Sequence, residues 1–477
     1  MDPPRPFIIG GERRTSSRAA DVIFPYDGST VARVALAGAG DMDDAVRSAG
    51  TGAAEMARLS SGARSAVLER MASLIEACAD RFAETIVLEA GKTTSMARTE
   101  VDRAAATLRI ASEEARRLGG EIVDLDWTRS GEGCIGVYRR FPVGIVLAIT
   151  PFNFPLSTVC HKLGPALAAG NAVIVRPSTK APLSALALGE CALEAGCPSA
   201  AVSVVPSSTG DAERLAGDPR IGLLSFTGSP EVGWHLKGVA GRTRVTLEHG
   251  GNASVIIEPD ADLARAAERC VQGGFANAGQ VCLSVQRIFL HVSVYDEGLG
   301  LIVDGARELT VGDPRDHATG IGPMISEAAA GAAETAVREA IDAGARCECG
   351  GTRQGTLFAP TVLTETDSSM RVNAEEIFAP VITITPYDGF DEALTLANAS
   401  PFGLQQSIFT RDIGSVARAF GQSHAGTVIV NDTAFRVDQM PYGGSGASGL
   451  GREGPRYAID EMTESRLLVT RDPDLGS

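Results

Sequence analysis

Short apolar runs alternate with amphipathic segments over much of the chain after residue 143. Largely apolar stretches predict buried strands at Gly144–Thr150, Ala172–Val175, Ala201–Val205 and Ile221–Phe226, and the β-rich run Thr243–Leu247 predicts another. The intervening segments have the length and periodicity of helices, at Leu156–Ala168, Leu183–Ala195 and Glu231–Val239. Apolar strands separated by helices of this length predict a parallel sheet that is covered on both faces.

A second series of the same kind begins near residue 253. Its predicted elements are a helix over Ala328–Ala343 and strands at Ala253–Glu258, Ile288–Val292, Val381–Thr385, Ser407–Phe409 and Thr427–Val430. The first 118 residues show helical periodicity instead, as in Ser65–Leu88 and Thr99–Leu118. The pattern predicts an α/β protein with two sheets, and in such sheets ligands bind at the carboxyl ends of the strands.

The bulk composition is that of an ordinary globular protein. The chain has 477 residues, of which 44% are hydrophobic and 21% charged, enough for about three domains. Its net charge of −16 argues against nucleic acid or an acidic membrane as the main partner. No stretch approaches 18 uninterrupted apolar residues, and the first residues do not read as a secretory signal, so we expect a cytoplasmic protein.

The cysteines and histidines do not follow a metal-binding or disulfide pattern. Nine cysteines form an odd, irregularly spaced set without a Cys-x-x-Cys pair, and the six histidines form no close pair of the His-x-x-x-His kind. We therefore expect no metal and no disulfide framework. Reduced thiols leave room for one reactive cysteine.

A thiol and a carboxylate stand in two glycine-containing loops. Cys282 ends the segment Gly279-Gln-Val-Cys282, which suits a tight loop that exposes a thiol, although a buried core cysteine is the alternative. Glu248 follows the strand at Thr243–Leu247 and precedes Gly250-Gly251, where it can be a base or a structural cap. A nucleophile and a general base are the minimum needed to convert an aldehyde to an acid through a thioester.

Two further loops follow predicted strands. In Pro151-Phe-Asn153-Phe-Pro155, the prolines fix the backbone and hold the Asn153 amide in one direction, as an oxyanion donor requires; an Asn turn is the alternative. Phe226-Thr-Gly228-Ser229-Pro-Glu-Val-Gly233 has the form strand, glycine turn, helix. Backbone N–H groups at such a helix start can bind a diphosphate, although a plain capped helix has the same pattern.

Taken together, these segments resemble the aldehyde dehydrogenase superfamily, most nearly its lactaldehyde dehydrogenase-like branch. The matching blocks are Pro151–Pro155, Arg176–Thr179, Phe226–Gly233, Leu247–Asn252, Gly279–Cys282, Glu375–Pro380 and Pro441–Gly444. The resemblance implies two Rossmann-type α/β domains and a small β oligomerisation arm that builds dimers or tetramers. The implied bounds are 1–122 and 142–250 for the NAD(P)-binding domain, 251–462 for the catalytic domain, and 123–141 and 463–477 for the arm.

The resemblance also implies a role for each matching residue. Cys282 would be the nucleophile, Glu248 the base for deacylation, and Asn153 an oxyanion donor beside the Cys282 backbone N–H. Because the acylating branch of the family usually lacks this base, Glu248 favours hydrolysis of the thioester over transfer to coenzyme A. The implied cofactor-binding residues are Thr150, Phe152, Arg176, Ser178, Thr179, Gly228, Ser229, Gly233, Glu376 at the nicotinamide ribose and Phe378 near the ring.

Three positions depart from the family pattern. Arg176 stands where lysine is usual, and Thr179 stands where NAD-preferring members often carry a glutamate that repels a 2′-phosphate. NAD and NADP therefore both remain open, with NADP favoured, although lysine is rare throughout this chain and Arg176 can reflect that bias. His249 replaces the usual leucine beside Glu248 and can shift the pKa of this base in either direction.

The substrate is expected to be a small polar or hydroxylated aldehyde. Arg436 precedes the glycine turn at Pro441–Gly444 and can meet an anionic or hydroxylated substrate, or serve only as an ion-pair residue. A semialdehyde or an aromatic aldehyde is the alternative, although the aromatic content of 5% disfavours a large aromatic pocket. Outside this class, the residues also permit a Cys282–His249 hydrolase or acyltransferase, or a non-catalytic scaffold.

Overall fold

The computed structural model describes residues 3–471, which form a mixed α/β fold. The strands are β1 (Phe7–Ile9), β2 (Glu12–Arg14), β3 (Ala19–Ile23), β4 (Thr30–Ala35), β5 (Gly120–Asp124), β6 (Cys134–Pro142), β7 (Ile145–Ile149), β8 (Ala172–Arg176), β9 (Val202–Val204), β10 (Leu223–Thr227), β11 (Arg244–Glu248), β12 (Ala253–Ile257), β13 (Val285–His291), β14 (Arg346–Cys349), β15 (Arg353–Gln354), β16 (Leu357–Phe358), β17 (Thr361–Thr364), β18 (Val381–Tyr387), β19 (Phe402–Gly403), β20 (Gln405–Phe409), β21 (Thr427–Val430), β22 (Ser445–Gly446), β23 (Gly449–Leu450) and β24 (Thr463–Arg471). The helices are α1 (Ala39–Arg58), α2 (Ser61–Ala77), α3 (Ala79–Ala90), α4 (Thr94–Arg117), α5 (Ser157–Ala169), α6 (Leu183–Glu194), α7 (Thr209–Ala216), α8 (Pro230–Val239), α9 (Leu263–Phe275), α10 (Tyr295–Glu308), α11 (Glu327–Asp342), α12 (Arg371–Ala374), α13 (Phe390–Asn398), α14 (Ile413–Gln422) and α15 (Pro455–Glu461).

Local sequence sets where many of these helices begin. A serine or aspartate side chain immediately before the helix accepts a hydrogen bond from a backbone N–H of the first turn, which would otherwise lack a partner. This cap is present before α2, α7, α9, α11 and α14, at Ser60, Ser208, Asp262, Ser326 and Asp412.

The first sheet has the strand order β2-β1-β9-β8-β7-β10-β11-β23. Its central strands β9, β8, β7, β10 and β11 are parallel, while β1 and β23 join the two sides antiparallel. The strands β7 and β8 are apolar and buried almost throughout, because helices cover both faces of the sheet. The predicted parallel sheet is therefore present.

The second sheet has the order β14-β17-β18-β13-β12-β20-β21 and is parallel except for β14. It has a separate apolar core, formed mainly with α9, α10 and α11. A third, antiparallel sheet of β24, β6 and β5 forms an arm. The last six residues, 472–477, belong to the predicted arm segment but lie outside the described residues.

The first sheet with its covering helices forms a first unit, and the second sheet with its helices forms a second unit. The chain after the second sheet returns to the first unit. Strand β23 pairs with β11, so that Gly449 lies opposite Glu248. Helix α15 packs on α5 and α4, and its buried Ala458 and Ile459 belong to the first apolar core. The two units are therefore joined at the edge of the sheet where Glu248 ends its strand.

Two further properties concern membranes and metals. No helix within residues 3–471 is long and apolar enough to cross a membrane. The same residues contain no group of three or more histidine, cysteine, aspartate or glutamate side chains arranged to hold a metal ion.

Candidate active site

The carboxyl ends of the first sheet's central strands bring four predicted segments to one edge. Thr227 is paired with Glu248 across β10 and β11, and Ile149 is paired with Arg176 across β7 and β8. The loops that follow these strands therefore start side by side. A parallel sheet produces this arrangement because all its strands end at the same edge.

A cavity of about 490 Å³ lies at this edge, between the two units. Its lining combines the loop that carries Cys282 (the thiol loop, residues 276–283), the loops after the strand ends of the first sheet, and the loop after α12. The predicted site residues that line it are Phe152, Asn153, Gly228, Ser229, Glu248, Cys282, Glu376, Phe378 and Arg436.

The loop before the thiol has an unusual backbone. Asn277, Ala278 and Gly279 have successive positive φ values of 51°, 54° and 69°. A left-handed conformation is unfavourable for alanine, and such strain persists where the surrounding structure fixes it. At Gly279 a Cβ would lie 2.0 Å from the Ala379 carbonyl oxygen, so this position requires glycine.

Gln280 fixes the same loop from within. Its Nε2 donates to the Asn277 carbonyl at 3.1 Å, and its Oε1 accepts a hydrogen bond from the Ile325 backbone at 2.8 Å. Gln280 is only 1% exposed, so these bonds are shielded from water. They hold the residues that precede Cys282 in one position.

The Cys282 thiol faces a tyrosine hydroxyl. The Cys282 Sγ lies 2.9 Å from the Tyr442 Oη. Burial raises the pKa of the Cys282 thiol, while the hydrogen bond with Tyr442 and the charge of Arg436 lower it. The thiol therefore has one polar partner and lines the cavity, while its other neighbours include the apolar cluster of Leu283 and Leu404.

Glu248 is 3% exposed and ends strand β11. Neither of its carboxylate oxygens has a hydrogen-bond partner within residues 3–471. Burial, followed by the nearby charge of Glu453, raises the pKa of Glu248 well above its ordinary value. A buried carboxyl group with unused oxygens and a raised pKa has the properties of a general base for a water molecule in the cavity.

Asn153 is 6% exposed and its amide direction is fixed. Its Nδ2 donates to the Gln280 carbonyl oxygen at 2.9 Å, on the loop that carries Cys282. The amide group has two N–H bonds. One N–H therefore remains beside the bond to Gln280, and Asn153 lines the cavity.

Glu376 reaches across from the second unit to the Gly250-Gly251 turn. Its Oε1 accepts a hydrogen bond from the Gly251 N–H at 3.2 Å, and a Cβ at Gly250 would lie 1.7 Å from the same oxygen. Burial raises the pKa of Glu376 to about 8, although the bond from Gly251 opposes this. Gly250 is required because the carboxyl group occupies the space of its side chain.

Phe378 has a positive φ of 53°, which is rare for an aromatic residue. Its ring meets that of Phe152 edge to face, with centroids 6.2 Å apart. The two rings come from different units, and both line the cavity.

Several polar atoms at the end of the first sheet lack protein partners. The hydroxyl groups of Thr150, Thr227 and Ser207 are buried without a hydrogen bond inside the described residues. Ser229 precedes α8, yet its hydroxyl makes no cap bond to the helix. Unused hydroxyl groups beside a helix start and a glycine turn fit a nucleotide diphosphate.

The remaining predicted cofactor residues lie outside the cavity lining. The Arg176 guanidinium donates to the Ser207 carbonyl at 2.7 Å. Ser178 and Thr179 are half-buried on the loop that follows β8, and Lys180 beside them is exposed. The Lys180 ammonium lies 5.7 Å from the centre of the Phe152 ring.

Gly233 lies against His249, which is part of the cavity lining. A Cβ at Gly233 would lie 1.9 Å from the His249 Nε2. The His249 Nδ1 donates to the Ala447 carbonyl at 2.9 Å, and the ring packs edge to face on Trp234. Within residues 3–471 the Cys282 thiol is hydrogen-bonded to Tyr442 and the His249 Nε2 has no partner, so the bonded Cys282–His249 pair of a hydrolase is not formed.

Arg436 belongs to a buried ion-pair network. Its Nη2 donates to Glu453 at 2.9 Å, and the other carboxylate oxygen of Glu453 accepts from Lys162 at 2.8 Å. Burial would raise the pKa of Glu453, but the charges of Lys162 and Arg436 outweigh this and lower it. The Arg436 Nε is buried and has no partner in the described part of the chain.

A second charged group lies at the same end of the cavity. Arg103 donates to Asp438 at 2.7 Å, and His161 is 3.0 Å from the same carboxylate oxygen. Sequence reasoning assigned no role to these residues or to Tyr442, Glu453 and Lys162. A local signal was present for Lys162, because a lysine inside the predicted buried helix Leu156–Ala168 needs a partner.

The comparisons with known proteins identify the family. The model of the aldehyde dehydrogenase family matches residues 13–468, and the chain belongs to this family. The chain is 42% identical to 3-sulfolactaldehyde dehydrogenase of Priestia aryabhattai, over 97% of each chain. It is 41% identical to aspartate-semialdehyde dehydrogenase 1 of Pseudomonas canavaninivorans, over 94% of this chain and 96% of the relative, and 36% identical to lactaldehyde dehydrogenase of Methanococcus aeolicus, over 94% and 96%.

Solved structures agree over the whole fold. Aldehyde dehydrogenase 21 from Physcomitrella patens, in complex with the reaction product succinate, matches with a TM-score of 0.96 and 38% identity, over 98% of this chain and 99% of that one. An NADP-dependent enzyme of E. coli matches with a TM-score of 0.95 and 32% identity, over 98% of both chains. An NAD-dependent aldehyde dehydrogenase from Sinorhizobium meliloti also has a TM-score of 0.95 and 32% identity, over 99% and 95%.

These matches confirm the predicted fold and the predicted enzyme class. The fold is the predicted α/β fold, consistent with two Rossmann-like domains and an arm. The protein belongs to an enzyme class of oxidoreductases that act on aldehydes. Its structural neighbours use NAD or NADP, and the choice between the two cofactors stays a prediction for this chain.

Proposed function

We propose that this protein oxidises a small, polar or hydroxylated aldehyde to its carboxylic acid with NAD or NADP. The observation that carries the proposal is the meeting of Cys282, Glu248 and Asn153 in one cavity that also reaches the cofactor-type loops of the first sheet. The cavity contains a nucleophile, a carboxyl group with unused oxygens and an amide donor. These three groups suffice for acyl chemistry at a carbonyl carbon.

In the proposed mechanism, the Cys282 thiolate adds to the aldehyde carbon and forms a C–S bond. The free Asn153 N–H and the Cys282 backbone N–H donate to the oxygen, which gains negative charge. A nicotinamide cofactor held at this edge of the sheet would supply the acceptor for a hydride. Loss of that hydride from the carbon leaves a thioester on Cys282. Glu248 then takes a proton from water, whose oxygen displaces the thiolate and yields the acid.

The cofactor would be held mainly by the first unit. The diphosphate would lie at the Gly228 turn. The buried hydroxyls of Thr150 and Thr227 have no hydrogen-bond partner in the described residues, and the Ser229 hydroxyl makes no cap bond, so these groups can donate to phosphate oxygens. Glu376 would accept hydrogen bonds from the nicotinamide ribose. The domain bounds 1–122 with 142–250, and 251–462, remain part of this proposal.

The arm is proposed to pair subunits into dimers or tetramers. Large apolar side chains are exposed on it, with Ile122 at 76%, Trp127 at 89% and Leu468 at 63% of their surface. Apolar groups clustered on one surface favour association with another protein surface.

The charged end of the cavity supports a polar substrate. Arg103 and Arg436 both line the cavity, and the Arg436 Nε retains an unused N–H. A guanidinium group can bind a sulfonate, a carboxylate or a hydroxyl oxygen. The relatives named for sulfolactaldehyde, lactaldehyde and aspartate semialdehyde suggest which aldehydes to compare.

A panel of aldehydes tests this function. We would measure formation of reduced cofactor from 3-sulfolactaldehyde, lactaldehyde, succinic semialdehyde and benzaldehyde, each with NAD and with NADP. We expect kcat/KM for the best small polar aldehyde to exceed that for benzaldehyde by about tenfold or more. The pair 3-sulfolactaldehyde and lactaldehyde differs by one anionic group, so its ratio measures the contribution of that charge. A higher kcat/KM for benzaldehyde would contradict the polar-substrate proposal.

The cofactor proposal, NADP over NAD, depends on Thr179. A Thr179→Glu variant should lower kcat/KM for NADP about tenfold or more and leave NAD much less affected, because a carboxylate repels a 2′-phosphate. Thr179→Gln is the matched control, with the same size and no charge. Equal NADP-to-NAD ratios for the Glu and Gln variants would show that residue 179 does not face the phosphate.

A further inference from the structure

The contact between Tyr442 and Cys282 joins the second unit's last loop to the thiol loop. The Tyr442 hydroxyl is the one hydrogen-bond partner of the Cys282 thiol within residues 3–471, at 2.9 Å. Both side chains line the cavity. A hydroxyl group at this distance can donate to sulfur or accept from it, so its role depends on which group is ionised.

Backbone hydrogen bonds and a cation–π contact hold Tyr442 in place, in addition to apolar packing. Its backbone N–H donates to the Glu453 carbonyl at 3.1 Å, and the Glu453 N–H donates back to the Tyr442 carbonyl at 2.6 Å. The Arg436 guanidinium carbon lies 3.8 Å from the ring centre, and the same guanidinium is bonded to the Glu453 carboxylate. The ring and its backbone are thus fixed by one ion-pair network.

The ring is also buried, with Tyr442 only 3% exposed in an apolar cluster with Leu283 and Leu404. Burial raises the pKa of the Tyr442 hydroxyl well above its ordinary value, and the neighbouring Cys282 raises it further. The phenol therefore keeps its proton while a thiolate forms beside it. In that state the hydroxyl can only donate to the sulfur.

We propose that the Tyr442 hydroxyl donates a hydrogen bond to the Cys282 thiolate, so that Tyr442 is a positioning residue that holds the nucleophile and favours its ionised form. The proposal rests on the proposed function of Cys282 as the nucleophile. The phenol proton stays on Tyr442 throughout, and the thiol proton leaves to water in the cavity. No covalent bond to Tyr442 forms or breaks.

The other charged groups around the thiol do not replace this donor. Arg436 lowers the pKa of Cys282 through its charge, while Glu376 and Glu248 raise it when they are ionised. The Arg436 guanidinium is directed to the Tyr442 ring and to Glu453. Removal of the Tyr442 hydroxyl therefore leaves the thiolate with its carboxylate neighbours and without its direct hydrogen bond.

The test is the pH profile of Cys282 alkylation in Tyr442→Phe. This variant keeps the ring over Arg436 and removes the hydroxyl alone. The rate of iodoacetamide modification of the Cys282 peptide, followed by mass spectrometry, should rise with a midpoint about one pH unit or more above that of the wild type. The limiting rate at high pH should not fall, because a thiolate of higher pKa is the better nucleophile. An unchanged midpoint would overturn the proposal.

Two controls separate this result from structural damage and from failure of the proposed function. Tyr138→Phe makes the same chemical change on the arm, outside the cavity, and should leave the midpoint unchanged. If Tyr442→Phe does not fold, replacement of the tyrosines by 3-fluorotyrosine strengthens the phenol donor and should lower the midpoint; a midpoint that stays fixed again refutes the role. Dehydrogenase activity in Cys282→Ala would instead refute the proposed nucleophile itself.

Discussion

Reduced-cofactor formation should be lost in a Cys282→Ala variant, by more than about 10⁴-fold in kcat/KM for the best aldehyde of the panel. The reason is chemical: without sulfur the aldehyde carbon has no covalent partner, so the tetrahedral adduct and the thioester cannot form. The variant should remain folded, because the thiol packs beside a cavity and alanine fills no new space. Initial rates with NAD and with NADP, beside the thermal unfolding midpoint, measure both points.

The matched control is Cys78→Ala, which removes an exposed thiol between α2 and α3. It should keep wild-type rates. A fully active Cys282→Ala enzyme would exclude the thioester mechanism, whatever the control shows. Alkylation of the wild type tests the scaffold alternative, since inactivation through modification of Cys282 is expected only if this thiol is accessible and reactive.

The strands of both sheets were predictable because their patterns are local. The run 144–150 is apolar and the run 243–247 is rich in β-branched residues. Both are short and bounded by turn residues, and β7 and β11 form there within one or two residues. The two-residue strand β23 has no such pattern. Its pairing with β11 depends on chain segments far apart in sequence, so no local signal predicts that Gly449 lies opposite Glu248.

The same distinction explains which site residues were found. Glu248 and Asn153 follow predicted strands directly, and Cys282 lies in a short glycine loop, so their positions could be inferred from neighbouring residues. The charged groups that surround the reacting residues come from distant parts of the chain, so neighbouring residues do not reveal them. Lys162 and Glu453 are buried as an ion pair, yet they are 291 positions apart along the chain.

The hydrogen bond between Cys282 and Tyr442 spans 160 positions and likewise has no local signature. The sequence offered only the motif Pro441–Gly444, in which an aromatic residue precedes two glycines. The close approach of Glu376 to Gly250 belongs to the same group, because it depends on how the two units meet. Sequence reasoning therefore recovers the reacting groups better than the contacts that tune them.

A Glu248→Gln variant should form one equivalent of reduced cofactor per active site and then stall. The C–S bond and the oxidation do not need this carboxylate, whereas proton abstraction from water does. Steady-state turnover should fall by about 10²-fold to 10⁴-fold, the range for loss of a general base. Stopped-flow absorbance measures the burst, and mass spectrometry of the stalled protein should show the acyl group on the Cys282 peptide.

Glu121→Gln, an exposed carboxyl group on the arm, is the matched control and should turn over normally. In the wild type the rate of thioester hydrolysis should increase with pH, because the raised pKa of Glu248 keeps the base protonated at low pH. The Gln variant should lack this increase. A variant with neither a burst nor an acyl group would show that Glu248 acts before the thioester forms, and unchanged steady-state turnover would exclude it as the base.

The raised pKa of Glu248 also predicts an effect on stability, with a definite sign. A carboxyl group whose pKa is higher in the folded state binds its proton more tightly there, so its ionisation removes stability as pH rises above the unfolded pKa. Glutamine has no proton to lose. The unfolding midpoint of Glu248→Gln relative to the wild type should therefore be higher at about pH 8 than at about pH 4. A difference that does not change with pH would mean that water or a bound ion solvates the Glu248 carboxylate in the folded enzyme.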